Sequence, residues 1–291
     1  MTIDKQNGNV AYNDELHSYW NVNDNERYIS VTTLIHQYQR PYDSDFWSSY
    51  KALERLLPKD VWAIEKKSLN KTKQFSMDIL DAHGIKVNDF NREKQNILDE
   101  WEKKTVESCE RGTKIHAALE NSMYKAGSNI SLAKRYGIGG KFECKKDYLP
   151  LDLECGVYPE YLISYISDDG LLRVAGQIDL LIKDGNDIYI ADYKTNEEIK
   201  QKSYYDSAKK SSERMLYPLN DLDDVNYWHY TMQLSTYAWM IEKTNPDFKI
   251  KDLIMIHFDH QGKETTYHLD YLKDNVERMF AHYKQQLVHQ K

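Results

Sequence analysis

The sequence predicts an α/β protein, and three observations carry that reading. Residues 173–194 have the pattern of a β-hairpin, and apolar strand candidates lie on both sides of it. Aromatic and aliphatic residues recur at helical spacing through 44–125, 226–243 and 271–287.

In chain order, Val10 to Ile29 alternates aromatic, polar and β-branched residues around Asn and Asp turns, as a small antiparallel sheet does. Ser30-Val31-Thr32-Thr33 places a capping hydroxyl ahead of Leu34 and Ile35, with Pro41 as the stop. Phe46, Trp47, Tyr50, Leu53, Leu56 and Leu57 keep helical spacing until Pro58. Asp81–Gly84 and Asn88-Asp89 read as breaks. A long helix from Arg92 to about Glu107 follows, with Arg111–Tyr124 as a third helix or its continuation. Residues 128–156 lack periodicity, and Gly137, Gly139 and Gly140 point to a flexible crossing. Val157–Ile166 reads as a strand and the polar stretch 197–225, with Pro218 and Asp221–Asp224, as a loop. Asn226–Lys243 reads as an aromatic-rich helix, Lys251–His257 and Thr265–Leu269 as strands, and Tyr271–Leu287 as a closing helix.

The hairpin is the most informative stretch. A Gly185-Asn186 turn pairs Asp184 with Asp187, and the same register sets Asp179 against Asp192 and Gln177 against Lys194. Asp179, Asp192 and Lys194 then share one face. With Asp184-Gly185 as the turn the carboxylates become diagonal on that face, whereas a three-residue loop separates them. Opposed like charges are unfavourable unless something offsets them. A divalent cation does so, and magnesium takes oxygen ligands. A solvated hairpin is the plain alternative, but Asp192 and Lys194 extend the face that carries Ile188 and Ile190, where charge needs a reason.

Composition narrows the class. A chain of 291 residues with 41% hydrophobic content has enough apolar surface for a globular core, and 23 tyrosines and 6 tryptophans supply rings for packing or base stacking. No apolar run reaches the length of a membrane span, and Met1–Asn9 holds no apolar signal core, so a cytoplasmic location is expected (host cytoplasm if viral). Cys109, Cys144 and Cys155 are too few for a four-cysteine cluster and show no Cys-x-x-Cys spacing. The net charge of −7 counts mildly against a nucleic-acid binder. Two basic stretches offset this locally: Lys134, Arg135, Lys141, Lys145 and Lys146, then Lys200, Lys202, Lys209, Lys210 and Arg214.

Further candidates flank the hairpin. His116 and Glu120 lie one helical turn apart, as do Gln233 and Tyr237. Imidazole suits manganese better than magnesium. Gln233 has the chemistry to hold a phosphate or the lysine, and Tyr237 to stack or to donate. Glu160, in the preceding strand, is a candidate third carboxylate. Each pair alone is more often a helix-packing or surface contact.

The ordered set is Gly112-x-x-x-His116-x-x-x-Glu120, Glu160, Gly176-x-x-Asp179, Asp192-x-Lys194-Thr195 and Gln233-x-x-x-Tyr237. It resembles the PD-(D/E)XK nuclease superfamily, and within it the RecB-like branch of phage exonucleases and the mitochondrial genome maintenance exonuclease. The resemblance spans about residues 111–240, with Ser30-Val31-Thr32 a looser match. It implies a restriction-endonuclease-like mixed sheet flanked by helices. Residues 1–110 would be an N-terminal hairpin and helical cover, and 111–291 the nuclease core.

The resemblance implies a magnesium- or manganese-dependent DNA exonuclease of viral recombination, repair or processing. Its DNA would be single-stranded or end-containing, with a single-strand-binding or recombination protein as a partner. By carry-over, His116, Asp179, Asp192 and the Tyr193 carbonyl would hold metal. Lys194 would position water, Glu160 would join them, and Gln233, Tyr237, Thr195 and Glu120 would lie along the substrate. Three cysteines exclude the iron–sulfur subgroups, and no Walker loop is present. A structure-selective flap or junction endonuclease and a catalytically silent DNA-binding module are the alternatives.

Overall fold

The computed structural model describes residues 3–146, 150, 152–206 and 211–289. The chain begins as the expected antiparallel meander: β1 (Lys5–Asn7), β2 (Val10–Asn13), β3 (Ser18–Asn21) and β4 (Arg27–Ser30). The Ser30 side chain accepts from the Thr33 N–H and caps α1 (Val31–His36), which buries Val31, Leu34 and Ile35.

Two compact units follow from the contacts: Met1–Arg40 with Gly112–Lys291, and Pro41–Arg111. The second contains α2 (Ser44–Leu56), α3 (Lys59–Thr72), α4 (Asp78–Ala82) and the start of α5 (Val87–Ala126). Asp43 caps α2, and its buried stripe Phe46, Tyr50 and Leu53 meets Trp62, Leu80, Phe90 and Ile97 in this unit's own core. Pro58 ends the first helical run as expected, but the spacing did not reveal α3. Asn88 and Asp89 do not break the chain: they occupy the first turn of α5, where exposed amide groups favour an acidic residue. Of the two alternatives for Arg111–Tyr124, the structure has the continuation: it belongs with the stretch after Arg92 to one helix of 40 residues.

Past α5, residues 128–156 are a correction to the expected crossing. They include a small hairpin of β5 (Ile130–Leu132) and β6 (Ile138–Phe142) joined by α6 (Ala133–Tyr136), with Gly137 at φ 70° ending the turn. The central strands are β7 (Gly156–Ile166), β8 (Arg173–Asp184) and β9 (Asp187–Lys194). The loop that follows carries a short ladder of β10 (Tyr205–Asp206) and β11 (Ser211–Ser212), while Lys209 and Lys210 lie outside the described residues. Then come α7 (Asn226–Thr244), β12 (Lys249–Phe258), β13 (Glu264–Leu269) and α8 (Lys273–His289).

The result is the α/β fold expected, a nine-stranded mixed sheet flanked by helices. On one face α1, α7 and α8 bury Leu34, Leu234, Tyr237 and Met279 with Ile178, Ile190 and Met255 of the sheet. The other face packs Leu119 and Met123 of α5, with the β5–β6 hairpin, against Leu180, Ala191 and Ile254. From Thr231 to Ile241 every residue of α7 is buried, because this helix packs against both the sheet and α8. Among the described residues, no helix is long and apolar enough to cross a membrane.

The sheet contains a fork. Strand β7 pairs antiparallel with β8 along nearly its whole length, from Arg173 to Lys183, and occupies one edge of it. The other edge is shared. Val174 and Ala175 pair in parallel with β4, whereas Leu180 to Asp184 pair antiparallel with β9. Residues 176–179 pair with neither, so β4 and β9 diverge from β8 at Asp179.

Candidate active site

The hairpin has the expected register. Asp184 pairs with Asp187 around Gly185, whose φ of 58° is left-handed, and the ladder runs up to Leu180–Ala191. One step further, at the fork, the ladder stops. There the Tyr193 N–H donates to Asp179 Oδ2 at 2.7 Å, so a carboxylate takes the place of a strand carbonyl. Strict alternation also fails here, because Ile178 and Leu181 pack in the same core cluster despite their odd spacing.

Glu160 lies on the other side of Asp179. Its neighbours Pro159 and Tyr161 pair with Leu180 and Ile178, which sets Glu160 opposite Asp179. Its φ of 53° is left-handed, uncommon for a residue with a side chain. Glu160, Asp179 and Asp192 therefore form one row across three neighbouring strands. Gln177 and Lys5 both donate to Glu160 Oε2, Lys5 from 3.5 Å.

His116 comes from α5. Its Nε2 lies 3.0 Å from the Tyr193 carbonyl, which can only accept, so Nε2 carries the proton. Nδ1 then faces Asp179 Oδ1 at 3.4 Å. Ligand atoms of His116, Glu160 and Asp179 all lie within 4.8 Å of one another, spaced for a shared cation. Asp192 stands outside that group. It is 2% exposed and forms an ion pair with Lys194, whose Nζ is 2.6 Å from Oδ2.

Helix α7 holds the lysine. Lys194 Nζ donates to Gln233 Oε1 at 3.2 Å, and the Gln233 amide donates to the Tyr237 hydroxyl at 3.2 Å. The Tyr237 ring lies so close to Gly176 that a Cβ there would come within 2.5 Å of Cε1. The glycine three positions before Asp179 is therefore a packing requirement. Thr195 lies beside Gly112 of α5, where a Cβ would be 3.3 Å from its Oγ1. Glu120 sits one turn past His116 and is half-buried. Its charge reaches Glu160, but it is not among the three clustered ligands.

Sequence reasoning missed four contributors. Tyr230 places its ring 4.5 Å from Lys194 Nζ and donates its hydroxyl to Asn196 Oδ1 at 2.6 Å. His257, beside Lys194 on β12, donates to the Asn196 carbonyl at 2.7 Å. Gln177 has a readable signal, since it stands two residues before Asp179 on the same strand. Lys5 has none, because its approach depends on the fold of the meander.

The electrostatics follow from this crowding. Burial, and next the charge of Asp179, pushes the Glu160 carboxyl up to about 7. Burial pushes Asp192 up to about 6 against the pull of Lys194. For His116, burial opposes charge, yet the hydrogen bond and charge of Asp179 carry the imidazole up to about 9. Burial likewise opposes charge on Lys194, but Asp192 and Asp179 raise it above its ordinary value, so it stays an ammonium. The three carboxylates are thus crowded in a buried place, with His116, Lys194 and Lys5 as their cationic neighbours. Two carboxylates and an imidazole nitrogen are a donor set that fits manganese, or magnesium through the oxygens. A cation there would take the place of the proton between His116 Nδ1 and Asp179.

A family model of the PD-(D/E)XK nuclease superfamily matches residues 88–290, and the chain belongs to that superfamily. No curated protein matches it. Among solved structures it is similar to SSO0001 at 16% identity and a TM-score of 0.28, covering 45% of this chain and 50% of that one. It is also similar to a presumptive exonuclease from Eubacterium rectale at 13% identity and a TM-score of 0.31, covering 45% of this chain and 44% of that one. The chain thus spans about half the length of each.

Proposed function

We propose that this protein is a divalent-metal-dependent DNA exonuclease of the RecB-like branch, serving viral DNA recombination, repair or processing. The observation that carries the proposal is the carboxylate row Glu160–Asp179–Asp192 at the strand fork, flanked by His116 and an ammonium at Lys194.

In this reading His116 Nδ1, Glu160 and Asp179 would hold a magnesium or manganese ion with Asp192 beside them, while the Tyr193 carbonyl, taken up by the Nε2–H on the far side of the imidazole, orients the ring and not the ion. When bound, the ion supplies the positive charge that a scissile phosphate and an attacking water need. Lys194 acts as a donor: fixed by Asp192, Gln233 and the Tyr230 ring, it orients that water or a phosphate oxygen. Tyr237 fixes Gln233, Thr195 lies at the edge of the site, and Glu120 adds negative charge behind Glu160. The reaction breaks a P–O bond of the DNA backbone and leaves a hydroxyl on one fragment and a phosphate on the other.

The experiment compares end-labelled linear and sealed circular single-stranded DNA, with manganese, magnesium or EDTA. Metal-dependent loss of the linear strand alone supports the exonuclease. Cutting of the circle replaces it with an endonuclease. No cleavage of single-stranded, duplex or branched DNA, with binding retained, replaces it with a silent binding module.

A further inference from the structure

The N-terminal meander carries a second row of side chains. Its register sets Lys5 opposite Tyr12 and Tyr12 opposite Tyr19, so the three share one face of the ribbon. That face is directed at the carboxylates. Lys5 reaches Glu160, and the Asn7 side-chain amide donates to the buried Leu162 carbonyl at 2.7 Å, which fixes β1 against β7 two residues beyond Glu160.

The two rings lie 4.7 Å apart, tilted by 33°. One side rests on the small core of Val10, Tyr28, Leu162 and Ala175, and both rings stay half-buried. Tyr12 is the more open, and its hydroxyl meets His17 Nδ1 at 3.0 Å on the exposed rim. Burial raises the pKa of both hydroxyls, followed by Asp14 and Glu160 at Tyr12 and by Tyr12 and Glu160 at Tyr19. Lys5 is held loosely, at 3.5 Å from its partner and with a side chain 34% exposed. The acidic neighbour Asp4 is engaged within the meander, accepting from the Asn13 amide and the Asp14 N–H.

A cation and two rings beside a hydrolytic centre match the chemistry of an unpaired nucleotide, whose base offers a face and whose phosphate offers a charge. Stacking of this kind tolerates any base but requires that the base be unpaired. We propose that Lys5, Tyr12 and Tyr19 form a subsite for the unpaired nucleotide next to the scissile phosphate, with its base on the Tyr12 ring and its phosphate at Lys5. The inference rests on the nuclease reading and adds to it a preference for single-stranded DNA.

The test measures fluorescence anisotropy of a labelled oligothymidylate and of a blunt duplex, in an Asp192→Ala background that prevents cleavage. Tyr12→Leu weakens oligothymidylate binding about 10-fold, Tyr12→Phe stays close to the parent, and duplex binding is unchanged. Lys5→Met, on a partly exposed side chain, weakens the single strand and flattens its salt dependence, and it carries the test if Tyr12→Leu melts early. Parent-like oligothymidylate binding by Tyr12→Leu and Lys5→Met overturns the subsite, as does equal loss for single strand and duplex. If the wild type cleaves no DNA, the nuclease reading fails; if it cleaves and these variants bind normally, the subsite alone fails.

Discussion

Glu160 stands directly opposite Asp179 at the step where β8 loses its partner on the far edge, and it does so in a left-handed backbone conformation. Such a conformation costs roughly 1–3 kcal/mol for a residue with a side chain. Here it accompanies a carboxylate beside a second one, with His116 in the same cluster and its Nδ1 facing Asp179. Strain and like-charge crowding at one point are features that a bound cation offsets.

Metal binding is therefore expected to stabilise the protein measurably. Manganese at saturating concentration raises the melting temperature of the wild type, and Asp179→Asn loses most of that rise because it removes a charge the cluster shares. Equal shifts in the two proteins would place the ion elsewhere.

Stability without metal depends on pH in a defined direction. Glu160, Asp192 and His116 all have folded-state pKa values above their ordinary ones, up to about 7, 6 and 9. Each group stabilises the fold while protonated, fully so below its ordinary pKa, and that contribution is lost as pH rises through the folded value. In EDTA the melting temperature should fall from about pH 4 to pH 9 by these three contributions. Glu160→Gln, which cannot ionise, should flatten the fall between about pH 4.5 and 7. A melting temperature that climbs across this window in EDTA would contradict the assignment.

Gly176 should not tolerate a methyl group. Its Cβ would come within 2.5 Å of a buried tyrosine ring, which has little room to retreat beneath β8. Gly176→Ala should cost roughly 1–3 kcal/mol, read as a lower denaturant midpoint at unchanged slope. An unchanged midpoint would show that the Tyr237 ring moves freely.

Tyr230 is a positioning residue for Lys194. Tyr230→Phe keeps the ring over the ammonium and should cleave at close to the wild-type rate. Tyr230→Leu removes a contact worth roughly 0.5–2 kcal/mol and should lower kcat several-fold while leaving KM nearly unchanged. Equal loss in both variants would shift the role to the hydroxyl and its bond to Asn196.

Much of the site was legible because its hairpin is local. The Gly185 turn sets the register as far as Leu180–Ala191, and Asp179, Asp192 and Lys194 lie just past the end of that ladder. The fork was not legible, since the parallel pairing of β4 with β8 joins residues far apart in sequence. Nor was the backbone turn at Glu160, because a left-handed φ in a strand has no residue signature when the residue is glutamate. Residues 128–156 hid a hairpin whose strands are too short for alternation to register. Asn88-Asp89 misled for a different reason: residues that favour turns also favour the first turn of a helix.

The central claim is that the carboxylate row and its lysine hydrolyse DNA with a bound metal. The most direct measurement is cleavage of end-labelled linear single-stranded DNA by wild type, Asp192→Ala and Lys194→Ala, each with manganese and with EDTA, alongside a binding measurement on the same strand. The account predicts cleavage by the wild type with manganese only, no cleavage by either variant, and binding by all three. Equal cleavage by wild type and Asp192→Ala would contradict it.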